Sequence, residues 1–174
     1  MLSPTKRGWK HTVLYTFQGN EDGGNPYARL VFDAKGNLFG TAYAGGTGHG
    51  IFGCGVVFEL SPDGSGHWSE TPVYAFKGAV NNDGDDPTAA VSLDKAGHIY
   101  GTTNNGGAPG GQGIAYELVN SPTGWTETVL HRFGNGKDGA IPESNLILDG
   151  AGHLYGTTMG GGTADLGTVF EISP

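Results

Sequence analysis

Cysteine and long apolar runs are nearly absent from this chain. Cys54 is the single cysteine among 174 residues, so no disulfide can form within the chain. No run approaches the ~18 apolar residues that a membrane-spanning helix needs. Residues 1–10 lack the apolar core of a secretory leader, so we expect no signal peptide within this sequence. A disulfide-stapled scaffold and a helical membrane protein are therefore excluded as classes.

Positive charge is scarce as well. Nine Lys and Arg residues stand against 17 Asp and Glu, which gives a formal net charge of −8. The basic residues are scattered, whereas binding to a phosphate backbone needs clustered Lys and Arg. Nucleic acid is therefore excluded as a partner. An acidic surface suits neutral or cationic ligands or a metal ion, and it also keeps a protein in solution.

Helical periodicity is the third absence, and glycine takes its place. No stretch repeats apolar residues at helical spacing over three turns. The 34 glycines lie at fixed places between runs of Val, Leu, Phe and Tyr. Glycine in such positions is typical of turns between strands. The sequence therefore predicts an all-β protein with one domain over residues 1–174.

One block of sequence recurs three times and accounts for nearly the whole chain. Its period of roughly 58 residues is in the range of propeller blades. Each copy carries a tryptophan, an Asp-Gly-x-x-Pro motif and an Asp-x-x-Gly turn that suits a type I conformation. The tryptophans are Trp9, Trp68 and Trp125, and the first motif begins at Asp22, Asp83 and Asp138.

Each copy contains four strand-like runs, which we name a to d in chain order. In the first copy they cover residues 28–33, 37–43, 56–61 and 70–76. Four short antiparallel strands form one propeller blade. We predict blade 1 at about 20–76, blade 2 at about 81–133, and blade 3 at about 138–174 together with the N-terminal strand 9–17.

The order of the strands suggests how a ring is closed. The chain opens with a d-type strand, 9–17, and ends with a c-type strand, so the first strand is predicted to complete the last blade. Propellers hold four to eight blades. Three blades are too few, so we predict that a homodimer forms a six-bladed ring. A monomeric β-trefoil or β-prism, which also has threefold internal symmetry, is the alternative.

Several stretches recur in a form typical of one family of repeats. They are Asn-Leu-Phe-Gly-Thr at 37–41, His-Leu-Tyr-Gly-Thr-Thr at 153–158, Gly-Thr-Val-Phe-Glu-Ile-Ser-Pro at 167–174, and the glycines at 45–46 and 160–162. In these stretches the chain resembles the Gly-rich tandem repeats of bacteria known as GloVer repeats. The Asp-x-x-Gly-x-Leu-Tyr pattern is also similar to NHL-type and two-component-regulator propeller blades. The resemblance implies a propeller, an extracytoplasmic location and no particular reaction.

One face of the predicted ring is the expected place for a site. In a blade, the loops before strand a and between strands b and c emerge on the same face, and the b–c loops vary in length between copies. Variable loops on a rigid scaffold are the usual location of binding. The predicted ligand-binding residues are Asp22, Asp83, Asp86, Asn104, Asn105, Asp138, Glu143, His49, Phe52 and Trp68.

Several of these residues have a structural interpretation beside the functional one. The Asp of each Asp-Gly-x-x-Pro motif either caps a turn or contributes to a ring of carboxylates around the channel mouth. Each repeated tryptophan either covers the edge of a blade or stacks on a sugar. His49 and Cys54 lie in the longest b–c loop, where a Cys–His nucleophile pair would lack a third member.

Two further interpretations concern metal ions and catalysis. Oxygen donors at Asn81, Asp83 and Asp85 resemble the beginning of a calcium loop, although the rest of the EF-hand pattern is missing. Calcium is therefore a candidate ion, and no other cofactor is expected. Asp138 and Glu143 are the candidate carboxyl pair if the protein hydrolyses glycosides.

The favoured function is a ligand-binding or interaction module with a carbohydrate as ligand. Its basis is the repeated tryptophan, the loops rich in Asp and Asn, and the lack of a catalytic signature. The first alternative is a hydrolase of glycosidase or lactonase type with its site at the channel mouth. The second is a structural surface repeat without a small ligand. The expected partner is a second copy of the chain.

Overall fold

The computed structural model describes residues 1–48, 52–108, 110–134 and 136–174. Within these ranges the secondary structure consists of β-strands and two single 3-10 turns, Ala79–Asn81 and Gly136–Asp138. The all-β prediction is confirmed. The strands are β1 Leu2–Thr5, β2 Gly8–His11, β3 Val31–Phe32, β4 Leu38–Ala42, β5 Val56–Pro62, β6 Trp68–Ala75, β7 Gly84–Asp85, β8 Ser92–Leu93, β9 Ile99–Thr103, β10 Asn105–Gly106, β11 Ile114–Ser121, β12 Gly124–Arg132, β13 Ile147–Leu148, β14 Leu154–Thr158 and β15 Thr168–Ile172.

The three repeats form three small antiparallel sheets. The first sheet has the order β3-β4-β5-β6, the second β8-β9-β11-β12, and the third β13-β14-β15. Each is a meander in which strands that follow one another in the chain lie side by side. The outer ladder of each four-stranded sheet contains a register shift, between Val57 and Phe58 in one and between Ala115 and Tyr116 in the other.

The turn between the first two strands of each sheet follows the sequence prediction. In the first repeat the Oδ1 atom of Asp33 accepts hydrogen bonds of 2.8 Å from the backbone N–H groups of Lys35 and Asn37. Asp94 and Asp149 make the same pair of bonds in their own turns. An aspartate that accepts backbone N–H groups two and four residues ahead stabilises a tight turn.

The N-terminal segment differs from its prediction. β2 pairs with β1 as a hairpin, with Ser3 opposite Lys10, and residues 12–17 belong to no sheet. The third sheet has three strands, so segment 9–17 does not complete it within the chain. In the hairpin, the backbone of β2 is hydrogen-bonded to that of β1. Further along the segment, Phe17 packs edge-on against Phe58 of the first repeat, with 4.9 Å between ring centroids.

A glycine in the second strand of each repeat makes room for an aromatic ring. Gly101 lies opposite Tyr116, and a Cβ atom built on it would overlap the tyrosine ring. Gly40 stands in the same relation to Phe58, and Gly156 to Phe170. An aromatic side chain that covers a strand glycine restores the packing that the glycine lacks. This explains the Gly-Thr dipeptide that closes the second-strand motif of every copy.

Buried apolar residues join neighbouring repeats instead of filling each sheet separately. One cluster contains Phe39 and Val57 from the first repeat together with Val91 and Tyr116 from the second. A second cluster lies in the first repeat, and Leu14 and Phe17 of the N-terminal segment pack against it. In the described ranges, no helix has the length and apolar character needed to cross a bilayer.

Candidate functional site

Two kinds of loop meet on one side of every repeat. In the second repeat, β7 from the Asp-Gly-x-x-Pro loop pairs with β10 from the loop after the second strand. The same pairing occurs as single bridges between Gly24 and Ala44 in the first repeat and between Ala140 and Gly160 in the third. The loops that carry most of the predicted ligand-binding residues are therefore fastened to one another.

The residue before each motif proline has a left-handed backbone. The φ angle is 54° at Asn25, 59° at Asp86 and 58° at Ile141. Asn and Asp tolerate this region, but a β-branched residue such as Ile is a conformational outlier there, and outliers cluster at functional sites. The carbonyls of these three residues accept hydrogen bonds from the backbone N–H groups of Tyr43, Asn104 and Met159.

Asp86 is the centre of a group of polar and aromatic side chains. The amide Nδ2 of Asn105 donates a 2.7 Å hydrogen bond to Oδ2 of Asp86. The negative charge of Asp86, together with burial and a hydrogen bond to this carboxylate, raises the pKa of Tyr43. The ring of Tyr27 meets that of Tyr43 edge-on at 5.8 Å and is 70% exposed.

A second group adjoins the first and reaches the third repeat. The hydroxyl of Thr88 donates to Oδ1 of Asn104 at 2.8 Å, and Nδ2 of Asn104 donates to Oε1 of the exposed Glu143 at 3.0 Å. The two groups together draw on all three repeats, and we name them the loop-face cluster. Its members are Tyr27, Tyr43, Asp86, Thr88, Asn104, Asn105 and Glu143.

The loop-face cluster contains four of the predicted ligand-binding residues. Sequence reasoning missed Tyr27, Tyr43 and Thr88. A signal for two of them exists, because Tyr27 and Thr88 occupy the position after the motif proline, as Glu143 does, and this position differs in every copy. Tyr43 had no such signal, since its partner Asp86 belongs to the next repeat.

The three motif aspartates lie apart from this cluster and bind their own loops. Oδ2 of Asp83 accepts hydrogen bonds of 2.9 Å from the hydroxyl of Tyr74 and from the backbone N–H of Lys77, and Asp83 is only 4% exposed. Asp22 receives the equivalent bonds from Tyr15 and Gln18, and Asp138 from His131 and Gly134. This geometry supports the turn-capping interpretation of these residues.

The other predicted residues are dispersed. Phe52 is exposed in its loop, and Trp68 is half-buried at the beginning of β6, where it packs against a buried cluster of the first repeat. Trp125 meets Phe39 edge-on at 6.4 Å, which agrees with a structural role for the repeated tryptophan. Cys54 is buried, and His49 lies outside the described residues.

The candidate calcium donors do not converge. Asn81 uses its amide Nδ2 to bond the carbonyl of Lys77 at 2.7 Å, and Asp83 caps its loop. Asp85 lies in β7, where burial and then the adjacent charge of Asp86 raise its pKa. Across the part of the chain that the structure describes, no three His, Cys, Asp or Glu side chains assemble in a way that could hold a metal ion. Calcium binding stays a prediction.

Two half-buried glutamates lie near the motif aspartates. Burial and then the charge of Asp22 raise the pKa of Glu70 to about 7, and burial and then the charge of Asp83 raise that of Glu127. The Oε1 atom of each glutamate is buried without a hydrogen-bond partner among the described residues. Both lie two residues after a repeated tryptophan, a signal that the sequence reasoning did not use.

A cavity of about 520 Å³ opens on the opposite side, between the turns of the first and second repeats. Phe39 and Trp125 are among its apolar walls, and Glu59, Asn120 and Asp94 are among its polar ones. Its volume is within the range of small-molecule sites. No local pattern in the sequence indicates this cavity, because its walls come from two separate repeats.

These features define an all-β tandem-repeat protein with a polar cluster on loops that are hydrogen-bonded to one another. The chain belongs to the Gloeobacter/Verrucomicrobia repeat family, whose model matches residues 2–170. The resemblance to GloVer repeats is thus confirmed, while the similarity to NHL-type and two-component-regulator blades stays a prediction. No curated protein matches the chain.

Proposed function

We propose that this chain is a ligand-binding module, that its repeats are blades of a β-propeller, and that the loop-face cluster binds a carbohydrate. The observation that carries the proposal is the cluster itself, in which amides, carboxylates and tyrosine rings from three repeats adjoin one another on one face. Stabilising the fold alone does not require exposed amides, carboxylates and tyrosine rings to adjoin one another on one face.

The hydrogen-bonding groups of the cluster suit a sugar. Each sugar hydroxyl both donates and accepts a hydrogen bond. An amide beside a carboxylate offers an N–H donor for the first oxygen and a carboxylate acceptor for the second. Asn105 and Asp86 stand side by side at 2.7 Å, so two neighbouring hydroxyls of one ring fit against this pair. Asn104 and Glu143 form a second pair of the same kind at 3.0 Å.

The aromatic part of the cluster supplies the remaining contact. Pyranose rings have an apolar face of C–H groups, which packs on an aromatic ring. Tyr27 offers such a ring, since its side chain is exposed and Tyr43 fixes its orientation by an edge-on contact. The backbone bonds at Asn25 and Asp86 hold the loops in place before a ligand arrives, which lowers the entropy lost on binding.

A hydrolase is the second interpretation and has less support. Retaining and inverting glycosidases both need two carboxyls that flank one bond. The oxygens of Asp138 bond to His131 and to the N–H of Gly134, and Glu143 bonds to Asn104 in a different loop. The two candidate carboxyls therefore have separate partners. A structural surface repeat remains the interpretation if no ligand is found.

The proposal is tested by screening the purified chain on a glycan array and measuring the affinity of the best ligand by calorimetry. Asn105→Ala and Glu143→Gln should each weaken binding about tenfold, because the first removes an amide and the second replaces a charged acceptor with a neutral, weaker one. Glu21→Gln is the matched control, since Glu21 is exposed in the Asp-Gly-x-x-Pro loop of the first repeat and outside the cluster. Array signals equal to background for every glycan would overturn the proposal.

The same titration separates the cluster from the cavity on the other side. Glu59→Gln and Asn120→Ala change two polar walls of the cavity and leave the loop-face cluster intact. We expect them to bind like the unmodified chain. If they lose the ligand while Asn105→Ala retains it, the binding site is the cavity. Release of product from chromogenic glycosides, abolished by Glu143→Gln, would instead favour the hydrolase.

A further inference from the structure

Neighbouring repeats meet through the same side-chain hydrogen bond at both internal junctions. Thr41 of the first repeat donates from Oγ1 to the carbonyl of Ala89 in the second at 3.0 Å. Thr102 of the second repeat donates to the carbonyl of Ser144 in the third at 3.4 Å. Each acceptor lies two residues after a motif proline. The junction is therefore a repeated element of the fold.

Backbone contacts repeat at the two junctions as well. Pro87 fills the space over Gly55, and Pro142 fills the space over Gly113, so neither glycine has room for a Cβ atom. The N–H of the residue before each proline donates across the junction, from Asp86 to the carbonyl of Cys54 at 3.2 Å and from Ile141 to that of Gln112 at 2.9 Å.

A phenylalanine completes each junction. Phe76, just after β6, packs edge-on against Tyr116 at 5.1 Å, and Phe133, just after β12, packs in the same way against Phe170 at 5.0 Å. Phe17 makes this contact with Phe58 at 4.9 Å. Phe17 therefore lies against the first repeat as Phe76 lies against the second, and residues 12–17 follow the β1–β2 hairpin instead of a four-stranded sheet.

The junction residues of the third repeat are exposed. Thr157 corresponds to Thr41 and Thr102, which are buried, yet it is exposed itself. Val169 corresponds to Val57, which has no exposed surface, yet it is 83% exposed. Leu166, the counterpart of Cys54, is 85% exposed. The third repeat thus presents one complete half of a junction to solvent.

The first repeat presents the other half. Pro26 is exposed, whereas Pro87 and Pro142 are buried, and Leu30 is exposed, whereas its counterpart Val91 is buried. A cavity of about 340 Å³ opens at this surface, with Phe17, Leu30 and Phe58 among its walls. At the internal junction the corresponding residues of the second repeat share a buried cluster with Val57.

One strand edge and one unpaired segment accompany these surfaces. β15 pairs on one side with β14, and within the described residues its other edge has no strand partner. Residues 12–17 run beside the first repeat without a ladder of their own. Unpaired edges are templates for strand addition by another chain.

We propose that a second copy of this chain joins the two surfaces and that two copies close a ring of six repeats. Segment 12–17 of one copy adds to the edge of β15 in the other and becomes its fourth strand. Val169 enters the cavity beside Leu30, and Thr157 donates to the carbonyl of Ala28, which corresponds to Ala89. This inference rests on the proposed propeller arrangement and does not depend on a carbohydrate ligand.

A second copy is the occupant that fits, because both halves of the junction are present on one chain and match each other. The contact joins two different surfaces, so copies associate head to tail, and they form a closed ring when the rotations between them add up to a full turn. With two copies, both exposed junction surfaces of each copy are covered and the edge of β15 is paired. A ring of six repeats is also within the range known for propellers.

The test is the solution mass of the whole chain by size-exclusion chromatography with light scattering, over a range of concentrations. We expect twice the chain mass of 17.9 kDa. Val169→Asp places a charge on the junction surface of the third repeat, and Leu30→Asp places one on that of the first repeat. Each substitution should give a monomer. Val80→Asp is the matched control, because Val80 is also an exposed valine, 74% exposed, but lies in a 3-10 turn outside both surfaces.

The measured masses of the unmodified chain and of the variants decide between a closed dimer and its alternatives. A monomeric unmodified chain overturns the proposal, and so does a dimer that survives both junction variants, because its contact would lie elsewhere. A series of larger species that grows with concentration shows an open chain of copies instead of a closed ring. Circular dichroism confirms that each variant is folded, and the mass of the unmodified chain decides even where a variant unfolds. Glycan binding is measured separately, so its failure leaves this result untouched.

Discussion

The hydroxyl of Tyr74 donates a 2.9 Å hydrogen bond to the carboxylate of Asp83 across the loop that follows β6. Tyr15 makes a bond of the same length to Asp22. In the third repeat the Nε2 atom of His131 lies 3.0 Å from Asp138. In the second and third repeats this bond joins the end of an outer strand to the loop that leads into the next sheet, and in the first repeat it joins the unpaired segment 12–17 to that loop. Each bond uses the aspartate of the repeated motif.

Removing this bond in the second repeat should destabilise the fold. Tyr74→Phe leaves the buried Asp83 without one of its donors, and an unsatisfied buried group costs about 1–3 kcal/mol. Urea denaturation followed by circular dichroism measures the change in the free energy of unfolding. Tyr27→Phe is the control and should stay within about 0.5 kcal/mol, because that side chain is exposed. Equal effects of the two substitutions would contradict the structural role of Asp83.

The half-buried Glu70 and Glu127 predict that stability falls as pH rises from about 4.5 to 7. The pKa of Glu70 is about 7 in the folded chain, against an ordinary value of 4.5. Between these values the folded state binds more protons than the unfolded state, so raising the pH favours unfolding. Below this window the glutamate is protonated in both states and the effect is absent.

Glu70→Gln and Glu127→Gln should therefore stabilise the chain at pH 8, each by on the order of 1 kcal/mol once partial exposure to solvent is allowed for. The gain should vanish at pH 4. Thermal melts at both pH values measure it, with Glu21→Gln as an exposed control. A gain that is the same at both pH values would show that protonation is not its cause.

Gly101→Ala should destabilise the second repeat by about 1–3 kcal/mol, which is typical of overpacking. The added methyl group has no room, because the ring of Tyr116 lies over the glycine. Gly150→Ala is the matched control, since a Cβ atom there meets nothing within 4 Å and no left-handed backbone angle opposes it. The melting temperatures of the two variants provide the comparison, and a Gly101→Ala chain as stable as the control would refute this account of the motif.

Cys54 should react slowly with a thiol reagent while the chain is folded. Its side chain is 3% exposed, and Asp85 hydrogen-bonds with it. Modification of a buried thiol requires local opening. We expect native labelling to be at least about 100-fold slower than labelling in concentrated urea. Comparable rates in the two conditions would show that this part of the first repeat opens readily.

The all-β class and the turns were predictable, because their signals are local. Asp33 and Gly36 define the first turn by chemistry that operates within four residues, and the period of the repeat predicts one antiparallel meander for each copy. The N-terminal segment could not be assigned in this way. Its sequence resembles the outer strands at 68–76 and 125–133, yet pairing depends on which sheet edge lies beside it, and here β1 takes that place.

The candidate site was predictable in part for the same reason. Asp86, Asn104, Asn105 and Glu143 were predicted from their place in the loops on one face of each repeat, and the structure brings them into one cluster. Tyr43 was not, since its neighbour Asp86 is distant in sequence and belongs to another repeat. The sequence leaves Asp83 with two interpretations, a turn cap or a carboxylate at a channel mouth. The hydrogen bond from Tyr74 agrees with the turn cap, and no local pattern shows which side chain a carboxylate will meet.

The two buried apolar clusters draw only on the first two repeats and the N-terminal segment, as far as the described residues show. Apolar burial is the main source of protection against local opening. The sheet of β13, β14 and β15 should accordingly fluctuate more than its neighbours in an isolated chain, and its amide hydrogens should exchange with solvent first. Association of a second copy would remove this difference in exchange rate between the third sheet and its neighbours. The protection of the third repeat against amide exchange therefore measures the fraction of chains that have dimerised.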